Sequence, residues 1–533
     1  MSSVKNILFV MADQLRWDFL SCYGHEHLHT PNIDRLAERG VRFDRAYVQS
    51  PVCGPSRASV YTGRTVFSHG STFNRTPLPI GEKTVGEYME PLGVRTAVVG
   101  KTHMVPDIVG MKRLGLDETS PIWAKFAKPA FEPFELDNGL HPTKLLRKNG
   151  GRLRYNDWLR QKGYEGENPW NDYANSAEGP DGEILSGWYL KNSNLPARIE
   201  ERHSETPYMV DRAMEFIEES GDQPWLCHLS LIKPHWPYMV PAPYHDMYGP
   251  DTWSAIHRDT SEQEDAHPVY KAFTGLRVSE AFTREGVRET VMPAYMGLIK
   301  QIDDHLGRLF KFIEDTGRDK DTMIVMTSDH GDYLGDHWMG EKELFHECSV
   351  RVPLIVLDPR PAADATRGTV SNDLVESIDL LPTFIDSAGG QPDYGKLEGR
   401  SLIPILHGET SDEWREAAFS EIDFSFYGVR EMLGTGMSDS RAYMIRTSRW
   451  KYIHYIGFPP QLFDLVSDPD EFSDVGRDPA HADIRNEMQS LLLERLTGRK
   501  NRVTISDEDA LSMSNIEEKI GVLIGFWDET ELT

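Results

Sequence analysis

A cysteine enclosed by turn-forming residues constrains this chain most strongly. Residues 51–64 read PVCGPSRASVYTGR, with proline and glycine on both sides of Cys53. This pattern predicts a sharp turn that presents the cysteine side chain, and the segment after Pro55 predicts the start of a helix with Ser56 as a candidate cap. A group at a helix N-terminus lies where backbone N–H groups and the helix dipole stabilise negative charge. Arg57, four residues after Cys53, can lie one helical turn away from it. A lone cysteine is usually a packing residue, but these flanks favour a reactive one.

A second pattern places a lysine and a histidine directly after a strand. Residues 93–103 read GVRTAVVGKTH, and the apolar run 96–99 predicts a core strand. Lys101 supplies a fixed positive charge for a bound oxyanion, and His103 can move a proton near neutral pH. Taken singly, either residue is more often an ordinary member of a polar loop.

Together, the two patterns resemble the two signatures of the sulfatase family in the alkaline phosphatase superfamily. The resemblance implies an α/β fold in which helices sandwich a mixed sheet, with a smaller C-terminal α+β subdomain. In that family the cysteine is oxidised to formylglycine, whose hydrate is the nucleophile. It therefore implies that a formylglycine-generating enzyme acts on Cys53 and that Arg57 holds the nucleophile. Lys101 and His103 would then orient its hydroxyl and assist regeneration of the aldehyde.

Polar residues after two further apolar runs are candidate metal ligands. Asp13 and Gln14 follow the run 7–11, and Asp329 and His330 follow the run 323–326 after two hydroxyl residues. A carboxylate after a strand is more often a turn former or cap, but open α/β sheets bind ligands beyond the carboxyl ends of their strands. The resemblance implies that these four residues and the Cys53 product hold one divalent ion. Most sulfatases use Ca²⁺, whereas an imidazole shifts preference toward Mn²⁺, Zn²⁺ or iron without excluding Ca²⁺.

Three further residues are candidates on the same resemblance. His235 closes a Lys-Pro-His segment at 233–235 and would contact the substrate oxyanion or the leaving-group oxygen. Lys342 lies in the run 340–345 and would bind an anionic oxygen. Asn74 lies in the loop 71–78, where facing the substrate and a plain surface role are about equally expected.

If the protein is an enzyme, its sequence supports two competing classes of substrate. Lys101 and His103 favour sulfate esters of the arylsulfatase type, because phosphonate hydrolases tend to carry tyrosine and threonine there. Gln14 and His330 resemble the phosphonate monoester hydrolase branch and favour phosphonate monoesters or phosphodiesters. We favour sulfate esters, with cross-activity on the phosphorus esters. A third reading is a catalytically inactive binding protein of the same fold, against which the filled nucleophile and metal positions argue.

Composition excludes several kinds of partner. A formal net charge of −27 argues against nucleic acid, anionic membranes and polysulfated polymers, but not against a small anionic ester in a locally cationic pocket. The four cysteines lack metal-ligand spacing and indicate reduced thiols. Residues 1–10 lack the layout of a signal peptide, and no run reaches the length of a membrane span. We expect a cytoplasmic protein.

A chain of 533 residues is long for one core. We expect a catalytic domain over 1–412, with irregular insertions near 105–200 and 241–289, and an antiparallel-sheet subdomain over 413–498. The first insertion is equally consistent with a substrate lid and with a packing flap. In the tail 499–533, the apolar side chains of residues 516–527 favour docking on another subunit of a dimer or tetramer over folding back on its own chain. In the predicted helix 292–314, Asp303 and Asp304 indicate a solvated or packing face.

Overall fold

The computed structural model describes residues 4–117, 129–148, 150, 152–409, 414–522, 524–528 and 530. Its strands are β1 (Asn6–Asp13), β2 (Val41–Tyr47), β3 (Arg95–Gly100), β4 (Glu132–Leu136), β5 (Ser176–Glu178), β6 (Ile184–Ser186), β7 (Trp225–Pro234), β8 (Thr322–Ser328), β9 (Arg351–Leu357), β10 (Thr369–Ser371), β11 (Val375–Glu376), β12 (Ala418–Asp423), β13 (Arg441–Arg446), β14 (Trp450–Tyr455) and β15 (Gln461–Asp464). Nine of them form the central sheet in the order β10–β2–β9–β8–β1–β7–β3–β4, with β11 beside β2.

The side chains of β1 point alternately to the two faces of the sheet, and both faces are covered, which explains why its apolar run is continuous. Leu8 and Val10 pack into the core on one face of the sheet, whereas Ile7 and Phe9 pack into the core on the other. Successive side chains of a strand point to opposite faces, so a strand covered on both sides needs apolar residues at every position. The predicted buried parallel strand is confirmed.

The α-helices in the described part of the chain are α1 (Pro31–Arg39), α2 (Cys53–Thr62), α3 (Val66–His69), α4 (Val85–Met89), α5 (Ile108–Arg113), α6 (Thr143–Lys148), α7 (Arg154–Gln161), α8 (Glu205–Ser220), α9 (Pro268–Thr274), α10 (Arg277–Phe282), α11 (Val287–Asp315), α12 (Glu347–Val350), α13 (Leu380–Ser387), α14 (Ile403–Leu406), α15 (Val429–Leu433), α16 (Ala482–Thr497), α17 (Asp507–Ser512) and α18 (Ile516–Lys519). Helices α1, α8 and α11 cover one face of the central sheet, and α2, α4 and α13 cover the other. The predicted α/β sandwich is confirmed.

The middle of the sheet is parallel and brings the ends of four strands together. Strand β1 pairs in parallel with β7 and β8, and β7 pairs in parallel with β3. The pairs β8–β9 and β2–β9 are antiparallel, which makes the sheet mixed. The carboxyl ends of β8, β1, β7 and β3 therefore lie side by side at one edge, where an open α/β sheet binds its ligands.

The long segment predicted as an irregular insertion also contributes to the sheet. Strand β4 lies within 105–200 and pairs in parallel with β3 at the sheet edge. Its sequence, EPFEL, carries charge and proline, which suits an exposed edge strand. Because it is not a continuous apolar run, the sequence pattern did not predict it as a strand.

A second, antiparallel sheet of order β12–β13–β14–β15 follows near the C-terminus, as predicted from residues 443–465. Met488 and Leu492 of α16 pack on it. The predicted boundary at 412–413 lies outside the described residues, and the division into domains stays a prediction. In the tail, Ile524 and Phe526 are almost fully exposed, and their docking on another subunit also stays a prediction. In the described residues, we find no helix with the length and apolar character to cross a membrane.

The predicted helix 292–314 is confirmed as α11, and one of its two aspartates has a role that periodicity does not show. Asp303 is fully buried, and its Oδ1 accepts hydrogen bonds from the backbone N–H groups of Asn32 and Ile33, at 3.0 and 2.9 Å. These are two of the unsatisfied donors of the first turn of α1. Asp303 thus caps α1 from a distant helix.

We expect Asp303→Ala to lower the free energy of unfolding by about 1–3 kcal/mol, because it leaves buried N–H donors without an acceptor. Asp304→Ala is the matched control, since the Asp304 side chain is 38% exposed. Urea unfolding of both variants measures the difference, and equal losses would contradict the capping role.

Candidate functional site

Cys53 is the first residue of α2, at the carboxyl edge of the sheet. The helix begins at Cys53, with Val52 at the N-cap position four residues before Ser56, so the prediction that Ser56 caps the helix is wrong. Pro55 is tolerated in the first turn because a backbone N–H there has no helical acceptor to lose. Ser56 instead donates from Oγ to the carbonyl oxygen of Asp329, at 2.6 Å. The Cys53 side chain is buried, at 1% exposure, and lies at the N-terminus of the helix.

Arg57 ties this helix to the strand ends. Its Nε donates to Asp329 Oδ2 at 2.8 Å, and its Nη1 donates to the Lys101 carbonyl oxygen at 2.9 Å and to Ser230 Oγ at 2.7 Å. Its Nη2 lies 3.6 Å from Asp13 Oδ2. Arg57 is fully buried, so each contact is made away from solvent. The guanidinium therefore fixes the helix that carries Cys53 relative to the edge.

Four predicted metal ligands converge on one point. One donor atom from each of Asp13, Cys53, Asp329 and His330 lies within 4.8 Å of the others, and all four residues are buried. His330 Nε2 lies 3.0 Å from the Cys53 sulfur and 3.7 Å from Asp13 Oδ1. His330 Nδ1 lies 2.8 Å from the carbonyl oxygen of Gly331, which assigns the ring proton to Nδ1. The lone pair of Nε2 is then available to coordinate a metal. Two carboxylates and an imidazole fit a divalent ion.

Positive charge surrounds this group. Lys101, which is buried, donates from Nζ to Asp13 Oδ2. Burial raises the pKa of Asp13, but the Lys101 ammonium and other cations outweigh it and hold that pKa well below its usual range. Burial likewise raises the pKa of the Cys53 thiol, and Lys342, Lys101 and His330 more than reverse it. The site stabilises negative charge at the Cys53 position.

Gln14 reaches the same centre by a different geometry. Its backbone φ is 65°, and its N–H donates to Asp329 Oδ1 at 3.1 Å. Its Nε2 donates to Asp332 Oδ2 and to the Tyr238 hydroxyl, and its Oε1 accepts from Lys342 Nζ at 3.0 Å. Sequence reasoning missed Tyr238 and Asp332. Asp332 stands two residues after His330, and a second acid so close to a candidate ligand is the signal that could have found it.

His103 faces the cysteine from the end of β3. Burial and the nearby Lys101 lower the pKa of His103, so the imidazole is neutral near pH 7, and its interaction with the Cys53 side chain opposes that shift. Among the described residues, its buried Nδ1 has no hydrogen-bond partner. Its backbone N–H donates to Asn138 Oδ1 at 3.0 Å, another residue that sequence reasoning missed. A neutral imidazole beside Cys53 can accept a proton.

His235 and Lys342 lie together on the other side. His235 Nε2 is 3.5 Å from Lys342 Nζ, and His235 Nδ1 is 2.6 Å from the carbonyl oxygen of Trp236. Burial, together with the Lys342 ammonium, lowers the pKa of His235 to about 4, despite the opposing charge of Asp13. Both residues are buried. They form a compact pair that can bind an anionic oxygen.

Asn74 contacts the helix that carries the cysteine. Its Oδ1 accepts from the backbone N–H of Gly54 at 2.7 Å. A Cβ on Gly54 would lie only 2.8 Å from that oxygen, so this approach requires glycine next to Cys53. The structure thus brings all the predicted site residues to one edge of the sheet, while substrate binding by Asn74 stays a prediction.

Comparison with known proteins agrees with this geometry. The family model described as sulfatase matches residues 5–390, and the model of the C-terminal region of N-sulphoglucosamine sulphohydrolase matches residues 335–498. The multifunctional alkaline phosphatase superfamily protein PehA of Trinickia caryophylli is 31% identical, over 94% of this chain and 97% of its own length. An arylsulfatase of Clostridium perfringens is 27% identical over 94% and 96%.

Two solved structures resemble the whole chain. The phosphonate monoester hydrolase of Agrobacterium radiobacter has a TM-score of 0.79 at 29% identity, covering 93% of this chain and 95% of its own. The phosphonate monoester hydrolase of Silicibacter pomeroyi has a TM-score of 0.80 at 28% identity, covering 94% and 97%. The sulfatase model alone spans well over half of the residues, and the fold and site agree with it. The chain belongs to the sulfatase family of hydrolases, within the alkaline phosphatase superfamily.

Proposed function

We propose that this protein hydrolyses sulfate monoesters of the arylsulfatase type, with cross-activity on phosphonate monoesters and phosphodiesters. The observation that carries the proposal is the position of Cys53. Its sulfur lies within the buried group of Asp13, Asp329 and His330, at a helix N-terminus, and beside a neutral His103. A small ester anion could meet a nucleophile, a metal site and a base at that point.

Two groups would complete the chemistry. We propose that a formylglycine-generating enzyme converts Cys53, so that the sulfur stands in for the hydroxyl oxygens of hydrated formylglycine, which supply the attacking group. A divalent ion held by Asp13, Gln14, Asp329, His330 and the converted Cys53 would lower the pKa of that group and neutralise the charge of the ester. Ca²⁺ and Mn²⁺ suit the oxygen donors, and the imidazole also admits Zn²⁺.

The remaining side chains have separate tasks in this proposal. Lys342 and His235 bind the anionic oxygens and stabilise negative charge that develops on the leaving oxygen. His103, oriented near Lys101, takes the proton from the second hydroxyl, which releases the product and restores the aldehyde. Arg57 fixes the nucleophile, as its buried hydrogen bonds to the strand ends support. Asn74 would contact the bound substrate from the loop over Gly54.

Phosphonate monoester hydrolysis is the second candidate, and two observations favour it. Gln14 and His330 occupy positions where most sulfatases carry an acid and an asparagine. Both phosphonate monoester hydrolase structures also match this chain over more than nine-tenths of its length. Sulfate monoesters and phosphonate monoesters are both singly charged tetrahedral groups, so one site can admit either.

The two candidates are separated by kcat/KM for p-nitrophenyl sulfate and p-nitrophenyl phenylphosphonate, measured with one preparation. We expect the sulfate to be the better substrate and His103→Thr to lower its kcat by about 10²-fold or more, because a positioned general base contributes that much. Asp107→Asn is the control, since Asp107 caps a surface helix on the same loop. A phosphonate preference in the wild type would favour the second candidate, and turnover of neither ester would favour an inactive binding protein.

The proposal also covers the cellular compartment, the oligomeric state and the partner of the protein. We propose a reducing, cytoplasmic environment, supported by four cysteines that are all free thiols in the structure. We also propose a homo-oligomer, a dimer or tetramer, supported by the exposed apolar side chains of the tail. The high net negative charge argues against nucleic acid or an anionic membrane as the partner, and it leaves room for a small anionic ester in a locally cationic pocket.

A further inference from the structure

Two residues that contact Gln14, Asp332 and Tyr238, have no role in the proposed chemistry. They form a hydrogen-bond network with Gln14, and all three residues are fully buried. The Tyr238 hydroxyl donates to Asp332 Oδ2 at 2.6 Å, and Gln14 Nε2 donates to the same oxygen. The other carboxylate oxygen, Oδ1, accepts from the backbone N–H of Leu334 at 3.0 Å. Both oxygens of the carboxylate are therefore engaged and its orientation is fixed.

The network discriminates between the two ends of the Gln14 amide. An amide carries an oxygen that only accepts and an NH₂ that only donates, and both oxygens of Asp332 act as acceptors, for Tyr238 and for the Leu334 N–H. The NH₂ must therefore face Asp332, and Oε1 must face the opposite way. A rotated amide would place two acceptors in contact, in a buried region where a lost hydrogen bond is costly.

The amide oxygen Oε1, which faces away from Asp332, lies on the side of the cationic residues. It accepts from Lys342 Nζ at 3.0 Å, and Lys342 also lies 3.5 Å from His235 Nε2. An amide oxygen has two lone pairs, so one remains for a cation. The backbone of Gln14 is held independently, because its N–H donates to Asp329 and its carbonyl oxygen accepts from the Tyr295 hydroxyl at 2.8 Å. Rotation of the terminal amide is thus the freedom that Asp332 restricts.

We propose that Asp332 and Tyr238 are positioning residues that hold the Gln14 amide with its oxygen toward the metal site. Tyr238 orients the carboxylate, the carboxylate orients the amide, and the amide presents a neutral oxygen ligand and an acceptor for Lys342. The inference rests on the metal site of the proposed function, but not on which ester is cleaved. It also gives a reason for an amide at this position, since a carboxylate here would place its acceptor oxygen against the acceptor oxygen of Asp332.

The test measures Mn²⁺ affinity by electron paramagnetic resonance titration of the purified full-length protein, so that it does not depend on turnover. We expect Asp332→Ala to weaken binding by about 10- to 100-fold, because residues that orient metal ligands typically contribute that much. Tyr238→Phe should weaken it by a smaller factor in the same direction. Tyr333→Phe is the matched control, since Tyr333 is equally buried but bonds His346 Nδ1, at 2.7 Å, and should leave affinity unchanged.

A double-mutant cycle with Gln14→Ala separates positioning from a general structural role. If Asp332 and Tyr238 act through the amide, replacing either in the Gln14→Ala protein should change Mn²⁺ affinity by less than about twofold. Equal weakening in both backgrounds would overturn the proposal, as would wild-type affinity in Tyr238→Phe and Asp332→Ala. If Asp332→Ala does not fold, the Tyr238→Phe cycle decides alone. A wild-type protein that binds no Mn²⁺, Ca²⁺ or Zn²⁺ would overturn the metal site of the proposed function together with this network, whereas binding without coupling overturns only the network.

Discussion

Cys53→Ala is expected to abolish ester hydrolysis, with kcat/KM falling by at least about 10⁴-fold, because removing a covalent nucleophile costs that much in other hydrolases. The variant loses the sulfur that lies 3.0 Å from His330 Nε2, and with it any group derived from the thiol. The measurement is hydrolysis of p-nitrophenyl sulfate and p-nitrophenyl phenylphosphonate by protein with wild-type circular dichroism. A rate within tenfold of the wild type for either ester would contradict a nucleophile at this position.

Cys22→Ala is the control for this variant. Cys22 is half-buried and is not one of the four residues that form the candidate metal site. It should retain full turnover. The tryptic peptide of residues 46–57 contains Cys53 and ends at Arg57, so its mass reports the chemical state of the side chain directly. An aldehyde at Cys53 in active protein, and an unmodified thiol in inactive protein, would link activity to the conversion.

Removal of divalent ions is expected to cause the second-largest loss, at least about 10³-fold in kcat, because the proposed ion would both activate the nucleophile and neutralise the charge of the ester. Asp13 and Asp329 lie among cations even without an ion, so we expect the apoprotein to stay folded. The experiment is dialysis against a chelator, followed by metal analysis and an assay. Adding back Ca²⁺, Mn²⁺ or Zn²⁺ singly then identifies the ion that restores turnover.

The outcome that would contradict a metal site is full turnover at a metal content far below one ion per chain. His330→Ala provides a second test, since it should lower the affinity for the restoring ion while leaving the fold intact. His346→Ala is a matched control because that buried histidine contacts Tyr333, away from the ligand group. Equal loss of metal affinity in the two variants would assign the effect of His330→Ala to general destabilisation.

Much of the site could be predicted from the sequence because it depends on strand ends. Asp13, Lys101, His235 and Asp329 each follow a run of apolar residues, and parallel pairing of β8, β1, β7 and β3 brings those ends together. A short apolar run and the polar residues after it are local features. The central strands could be predicted for the same reason, whereas the fold class and the roles of the site residues were implied by the resemblance to sulfatases.

The residues that were missed depend on contacts between distant parts of the chain. Asp332 and Tyr238 meet Gln14 across more than 200 positions, and Asn138 holds the backbone of His103 from beyond β4. No local pattern specifies such partners, because they are set by how loops pack once the sheet has formed. The wrong prediction for Ser56 has the same origin, since its hydroxyl bonds a carbonyl oxygen of Asp329.

The contacts of Arg57 also indicate when, during synthesis and folding, the surroundings of Cys53 become buried. The helix that carries Cys53 is anchored to residues 101, 230 and 329, so its environment closes only after more than three hundred residues have been synthesised. In the finished protein the thiol is 1% exposed and its backbone is helical, which leaves a modifying enzyme no access to it. The proposed conversion of Cys53 would therefore have to precede the closure of the sheet edge. Conditions that accelerate folding relative to modification should then yield stable protein with an unmodified and inactive site.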